Sequence, residues 1–128
     1  MKEKMMKANV DTISVNGVEY VRKDSKSDPA PKLDGMPYQL VRTYSAGVFA
    51  GYVESRNGQE VVMRNARRIW QWAGAASLSQ LATDGTSMPK QCKFPCVVDR
   101  VELLQAIEIL DVTAKAKASI AEVPVWQQ

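Results

Sequence analysis

Arg67 and Arg68 stand side by side in the stretch Asn65 to Ala82, NARRIWQWAGAASLSQLA, and Trp70 and Trp72 follow within five residues. A guanidinium donates two parallel hydrogen bonds to a phosphate and stacks on planar rings, and an indole face is a platform for a nucleobase. Arginine and tryptophan at this spacing therefore point to recognition of an anionic, aromatic ligand. Five of the seven arginines (Arg42, Arg56, Arg64, Arg67, Arg68) fall between residues 42 and 68, opposed there only by Glu54 and Glu60, with no lysine in the window. Together with Tyr44, Tyr52 and the two tryptophans they would line an aromatic, basic pocket if the strands pair as expected below. Ser77 and Ser79 lie in a short helix whose N-terminal N–H groups favour an anion. The candidate ligand-binding set is thus Arg42, Tyr44, Arg64, Arg67, Arg68, Trp70, Trp72, Ser77 and Ser79. The competing reading makes both tryptophans core, pairs the arginines with Glu54, Glu60 and Glu102, and gives the serines to helix capping. On the binding reading, replacing Arg67 and Arg68 with alanine abolishes binding and leaves the melting temperature nearly unchanged.

Catalysis and metal binding find less support. The chain has no histidine, which removes the usual general base near neutral pH and the commonest metal ligand. No carboxylate pair among Glu54, Glu60, Asp84, Asp99, Glu102 and Glu108 is marked by its surroundings as an acid and base, so a non-enzymatic protein is expected, with no cofactor. Cys92 and Cys96 supply too few ligands for a closed zinc site, and on one strand they would lie about 13 Å apart, too far for a disulfide. They read as buried structural thiols. SAGVFAG lacks the lysine of a P-loop and the spacing of a dinucleotide fingerprint.

At 128 residues and 45% hydrophobic, the chain supports one core. A net charge of +3 with 24% charged residues is too modest for a general nucleic-acid coat. No apolar run approaches the roughly 20 residues of a membrane helix. Two cysteines without a secretory leader point to the cytoplasm.

An α+β fold follows from the patterning, with an antiparallel sheet of about five or six strands and two short helices, preceded by a β-hairpin on a linker. Residues 1 to 11 offer at most a frayed helix. Thr12 to Val15 and Val18 to Val21 flank Asn16-Gly17, a pair suited to a tight turn. Arg22 to Pro37 reads as a flexible linker, so the chain divides into 1–37 and a domain at 38–128. Strands are expected at Tyr38 to Tyr44, Val48 to Ser55 and, after Asn57-Gly58, Glu60 to Arg64. The stretch that follows is either a helix capped by Asn65 or a strand from Arg67 to Trp72, the preferred reading. A helix over Ala75 to Thr83 ends at Gly85, and the loop Asp84 to Lys90 follows. Lys93 to Asp99 and Val101 to Leu110 read as strands, with Leu103, Ile107 and Ile109 inward. Thr113 caps a terminal helix, AKAKASIAEV, with Ala114, Ala118 and Ile120 apolar and Lys115 and Lys117 toward water, and Trp126 pins the tail. The small residues Ala73 to Ala76 and the docking hairpin suit a homo-oligomer.

Five segments of the last two thirds of the chain, VRTYSAGVFAGYVESRNGQEVV, NARRIWQWAGAASLSQLA, GTS, CKFPCVVDRVELL and KASIAEVPVW, together resemble a family of small bacteriophage and prophage proteins known as an uncharacterised domain. The leading VNGVEYVRKDS is similar to a short module that phage proteins carry beside linkers. The resemblance brings no activity, and it implies a phage context in the cytoplasm of an infected bacterium. Two uses fit such a context. One is a sponge, an oligomer that captures a host immune nucleotide and holds it without cleaving it. The other is an assembly or accessory protein that uses the same surface on single-stranded nucleic acid or on a protein.

Overall fold

A computed structural model describes residues 12–15, 18–21 and 28–128. Two short strands, β1 (Thr12–Val15) and β2 (Val18–Val21), pair antiparallel with Thr12 opposite Val21. The expected turn at Asn16-Gly17, the tail at 1–11 and the first part of the linker lie outside the described residues. The second part of that linker is not a free spacer. Ala30 donates its N–H to the Val112 carbonyl, Pro29 bridges Thr113, and Leu33 and Met36 exchange backbone hydrogen bonds around Asp34-Gly35. Asp34 and Gly35 have φ of 51° and 81°, as the central pair of a type I′ turn requires. Fixed turn chemistry here outweighs the three prolines that read as a linker.

Five antiparallel strands form the main sheet: β3 (Tyr38–Thr43), β4 (Val48–Asn57), β5 (Glu60–Arg68), β6 (Val97–Leu103) and β7 (Ala106–Asp111), in the order β6-β5-β4-β3-β7. β4 and β5 meet through Gly58 at φ 63°, the first central position that a tight hairpin gives to glycine. β6 and β7 follow one another across only Leu104 and Gln105, yet they occupy opposite edges. The open sheet must therefore curl until its two edges approach at that end. There the Ala106 N–H donates to the Gln59 carbonyl and the Tyr44 N–H to the Gln105 carbonyl, both at 2.9 Å.

Curling gives the sheet two buried faces. The inner one holds Val41, Phe49, Val61, Met63, Ala66, Leu103 and Ala106. The outer one is covered by α1 (Leu78–Asp84), α2 (Ala114–Ala121) and the segment around Phe94, which bury Leu40, Ala50, Leu81, Phe94 and Ile120. Each fully buried side chain of this size contributes roughly 1.5–3 kcal/mol. Ser77 caps α1 by accepting the Gln80 N–H at 3.1 Å, and Gly85 ends it at φ 79°. Thr113 caps α2 by accepting the Ala116 N–H and ties it to α1 by donating to the Thr83 carbonyl.

Several expected boundaries move. No separate strand runs from Arg67 to Trp72, nor does a helix. β5 continues unbroken from Glu60 to Arg68, and beyond it only Gln71 bridges Lys93. Asn65 is not a helix cap. It lies within β5 at φ 49°, as the extra residue where Ala50 and Tyr52 of β4 face Arg67 and Arg64. A bulge there keeps Val61, Met63 and Ala66 on one face despite the broken alternation, and so turns Arg67 toward the helices and Arg68 away from them. A second bulge, between Arg42 and Thr43 of β3 and their partners on β7, puts Ile107 at the surface, 45% exposed, where alternation had turned it inward. On α2 the buried residues are Ala116 and Ile120, Ala118 is exposed, and Lys117 lies half-buried over the rings of Tyr38 and Tyr52 rather than toward water. The cysteines differ from one another: Cys92 is buried, while Cys96 is exposed and precedes β6.

Candidate functional site

Arg67 is the one charged residue among the described residues with its side chain in the core, 6% exposed. Its Nε donates to the Pro95 carbonyl at 2.9 Å, Nη1 to Ile120 at 3.0 Å, and Nη2 to Phe94 at 3.2 Å and Val123 at 2.7 Å. Its planar fork thus joins four backbone carbonyls from the segment before β6, the end of α2 and the chain beyond it. Carbonyl dipoles stand in for a carboxylate, and the Phe94 ring lies 5.4 Å from the guanidinium carbon. Burial lowers the guanidinium pKa from its ordinary value, while the Tyr38 phenol opposes that shift. A guanidinium so engaged is a closure for the fold, with one of its five N–H groups left over.

Arg68 does the opposite. It is exposed on the other face of the sheet, its guanidinium carbon 4.6 Å from the Phe49 ring centroid, and no ion pair joins it to a carboxylate among the described residues. Together with Arg100, Cys96, Pro95 and the apolar floor of Phe49 and Ala66, it lines a hollow of about 370 Å³. Arg100 Nη2 is held at 2.7 Å by Glu102. Two residues past Arg68, about 7 Å along an extended chain, Trp70 is 61% exposed and stacks on Trp126, with ring centroids 6.2 Å apart and planes at 11°. Lys93 Nζ sits 5.5 Å from the Trp126 ring centroid. The ribbon beneath is built by Trp70 and Gln71 donating to the Lys93 carbonyl and Trp126 donating to the Phe94 carbonyl.

The other candidates are dispersed. Arg42 pairs with Glu108 across β3 and β7 at 2.9 Å. Arg64 Nε binds Glu54 at 2.7 Å, a hydrogen bond that raises its pKa, and Nη1 approaches Asp99. Tyr44 is 77% exposed on the turn after β3. Trp72 packs against the outer-face core. Ser77 is occupied by capping, and Ser79 is exposed on α1. Of the nine candidates, Arg68 and Trp70 are both exposed and lie two residues apart; Arg100 and Cys96 share the Arg68 hollow, and Lys93 and Trp126 flank Trp70, four residues that sequence reasoning did not select. Trp126 carried a readable signal, since an indole near a chain end needs something to cover it.

A further hollow of about 490 Å³, between Ser45-Ala46 and Leu104-Gln105, has the Glu102 carboxylate and no cation in its lining, which disfavours an anion. Among the described residues no group of three or more Cys, Asp or Glu side chains is placed to hold a metal ion, and no helix is long and apolar enough to cross a membrane.

No curated protein and no solved structure matches the chain. A family model does, over residues 36–120, a span that contains the whole five-stranded sheet, α1 and most of α2. The chain therefore belongs to the family described as a domain of unknown function, DUF6948.

Proposed function

We propose that this protein is a non-enzymatic binder of a small phosphate-containing nucleotide, with the phosphate at Arg68 beside Arg100 and the base on the open face of Trp70. The observation that carries this reading is the pairing of an exposed guanidinium, engaged by no carboxylate among the described residues, with an exposed indole two residues away. A phosphate would take the Arg68 fork bidentately, and a base would extend the Trp70–Trp126 stack. In the phage context that the sequence resemblance implies, such a binder would serve as a sponge for a host anti-phage immune signal, working as a homo-oligomer in the host cytoplasm. Single-stranded nucleic acid is the second reading, favoured by the Lys93 ammonium beside the Trp126–Trp70 stack, a further cation for a second phosphate.

The test is a thermal-shift and equilibrium-dialysis screen against cyclic di- and trinucleotides, ADP-ribose derivatives and short single-stranded oligonucleotides. Ligand at 100 times its dissociation constant stabilises the fold by roughly 2.7 kcal/mol. The expected result is a shift with one small nucleotide that is recovered unaltered, lost in both Arg68→Ala and Trp70→Ala. Binding confined to oligonucleotides, with a steep salt dependence, selects the second reading. No shift with any ligand sinks both, and a hydrolysed product sinks the non-enzymatic assignment.

A further inference from the structure

On the opposite face of β5, a hollow of about 310 Å³ opens between α2 and the sheet, lined by Tyr38, Tyr52, Asn65, Arg67, Lys117 and Ile120 among others. Its lining contains two cationic side chains and no carboxylate. Tyr38 and Tyr52 are cross-strand partners on β3 and β4, meeting edge to face at 5.1 Å, and the Lys117 ammonium lies 5.4 and 5.9 Å from their ring centroids. Asn65 is brought to the rim by the β5 bulge that also turns Arg67 inward. Among the described residues, no side-chain hydrogen bond satisfies either phenol, the Asn65 amide or the Lys117 ammonium. The Tyr38 hydroxyl, like any phenol, is protonated at neutral pH and can donate, and burial, pushing it up to about 12, keeps it so further into the alkaline range.

We infer that this hollow is a second anion site, separate from the Arg68 face, which takes a small oxyanion group through the Lys117 ammonium, the two phenol hydroxyls and the Asn65 amide. Every polar group just named has an N–H or O–H to give, and an ammonium with no carboxylate beside it among the described residues supplies the charge. The apolar wall of Ile120 leaves room for a small body behind the charged group, so the class is a phosphate or a carboxylate on a compact organic frame. Arg67 contributes field rather than contact, because four of its five N–H groups already belong to carbonyls.

The test is an NMR titration of the full chain with inorganic phosphate and, separately, with benzoate, following the side-chain amide of Asn65. At least one probe is expected to move that signal saturably, and Lys117→Met, which keeps the aliphatic stem over the tyrosine rings, weakens that binding at least tenfold. Should Lys117→Met fold poorly, Tyr52→Phe removes one donor and keeps the ring, with a smaller loss expected. Phosphate alone or benzoate alone identifies which oxyanion the site prefers. Absence of any response to both probes overturns the assignment, as does undiminished affinity in folded Lys117→Met or Tyr52→Phe. Arg68→Ala alters the other face of the sheet, so loss of the Asn65 response in that variant would also overturn a separate site.

Discussion

Arg67 Nη2 donates a 2.7 Å hydrogen bond to the carbonyl of Val123, joining the third strand of the sheet to the chain just beyond the last helix, past its cap at Glu122. With the bonds to Pro95, Phe94 and Ile120 it makes one side chain the meeting point of three segments distant in sequence.

Arg67→Met should therefore be a folding variant rather than a binding variant. It leaves the Pro95 and Val123 carbonyls without a donor, while Phe94 and Ile120 keep the backbone N–H groups of Trp126 and Val123; at about 1–3 kcal/mol for each orphaned carbonyl, a loss of roughly 2 kcal/mol or more is expected from the urea midpoint. Lysine will not rescue it, since a point ammonium lacks the planar fork that reaches four acceptors. The expectation that both arginines can be replaced without effect on melting is thereby restricted to Arg68. An Arg67→Met midpoint within about 0.5 kcal/mol of wild type would contradict this.

Gly51 faces the bulge. A Cβ there would stand 2.8 Å from the Ala66 Cα and 3.1 Å from the carbonyl oxygens of Arg64 and Asn65, all backbone atoms that cannot swing aside. Gly51→Ala should destabilise by about 1–3 kcal/mol and shift amide resonances along β5. Chemical denaturation with a backbone NMR spectrum checks both.

Tyr38 titrates late, at about 12, because burial disfavours the phenolate and Tyr52 reinforces it. The unfolded chain releases this proton first, near pH 10. Stability from this group is therefore fully present below about pH 10 and is lost as pH rises toward 12. Ultraviolet tyrosinate titration should reveal a late phase, and Tyr38→Phe should remove it along with that part of the alkaline loss of stability.

The Trp70–Trp126 stack should give a paired-indole exciton signal in circular dichroism, abolished equally by Trp70→Leu and Trp126→Leu. Beyond area burial the pair is worth about 0.5–1.5 kcal/mol, so either variant should remain folded. A signal surviving both substitutions would mean the indoles do not stack in solution.

Much of the architecture was legible because it is written in local chemistry. Gly85 and Thr113 mark helix ends by capping, and Gly58 marks a hairpin by its φ, whereas α1 begins at Leu78 behind its Ser77 cap and not at Ala75 as expected. Where the reading failed, the cause is specific. Leu104 and Gln105 turn the chain without glycine or proline, so the β6–β7 boundary left no trace and Val101 to Leu110 read as one strand. Alternation predicted that Arg67 and Arg68 face opposite ways, but it could not say which goes inward, since one extra residue at Asn65 exchanges the faces. Asparagine is among the few non-glycine residues that tolerate positive φ, so Asn65 carries a signal for the bulge, but the same residue type also suits a helix cap and neither reading of the stretch uses it as a bulge. Convergence of the candidate arginines failed for a different reason: Arg42 and Arg64 found cross-strand carboxylates, a matter of register rather than composition.

Because Arg67 binds main-chain oxygens, the closure places no demand on the side chains at 94, 95, 120 and 123 for hydrogen bonding. Those positions are free to drift with the packing around them, whereas the arginine is not. In any relative that keeps this closure, the variable partner in a coupled substitution should never be Arg67, and a change there should coincide with loss or rebuilding of the whole C-terminal segment.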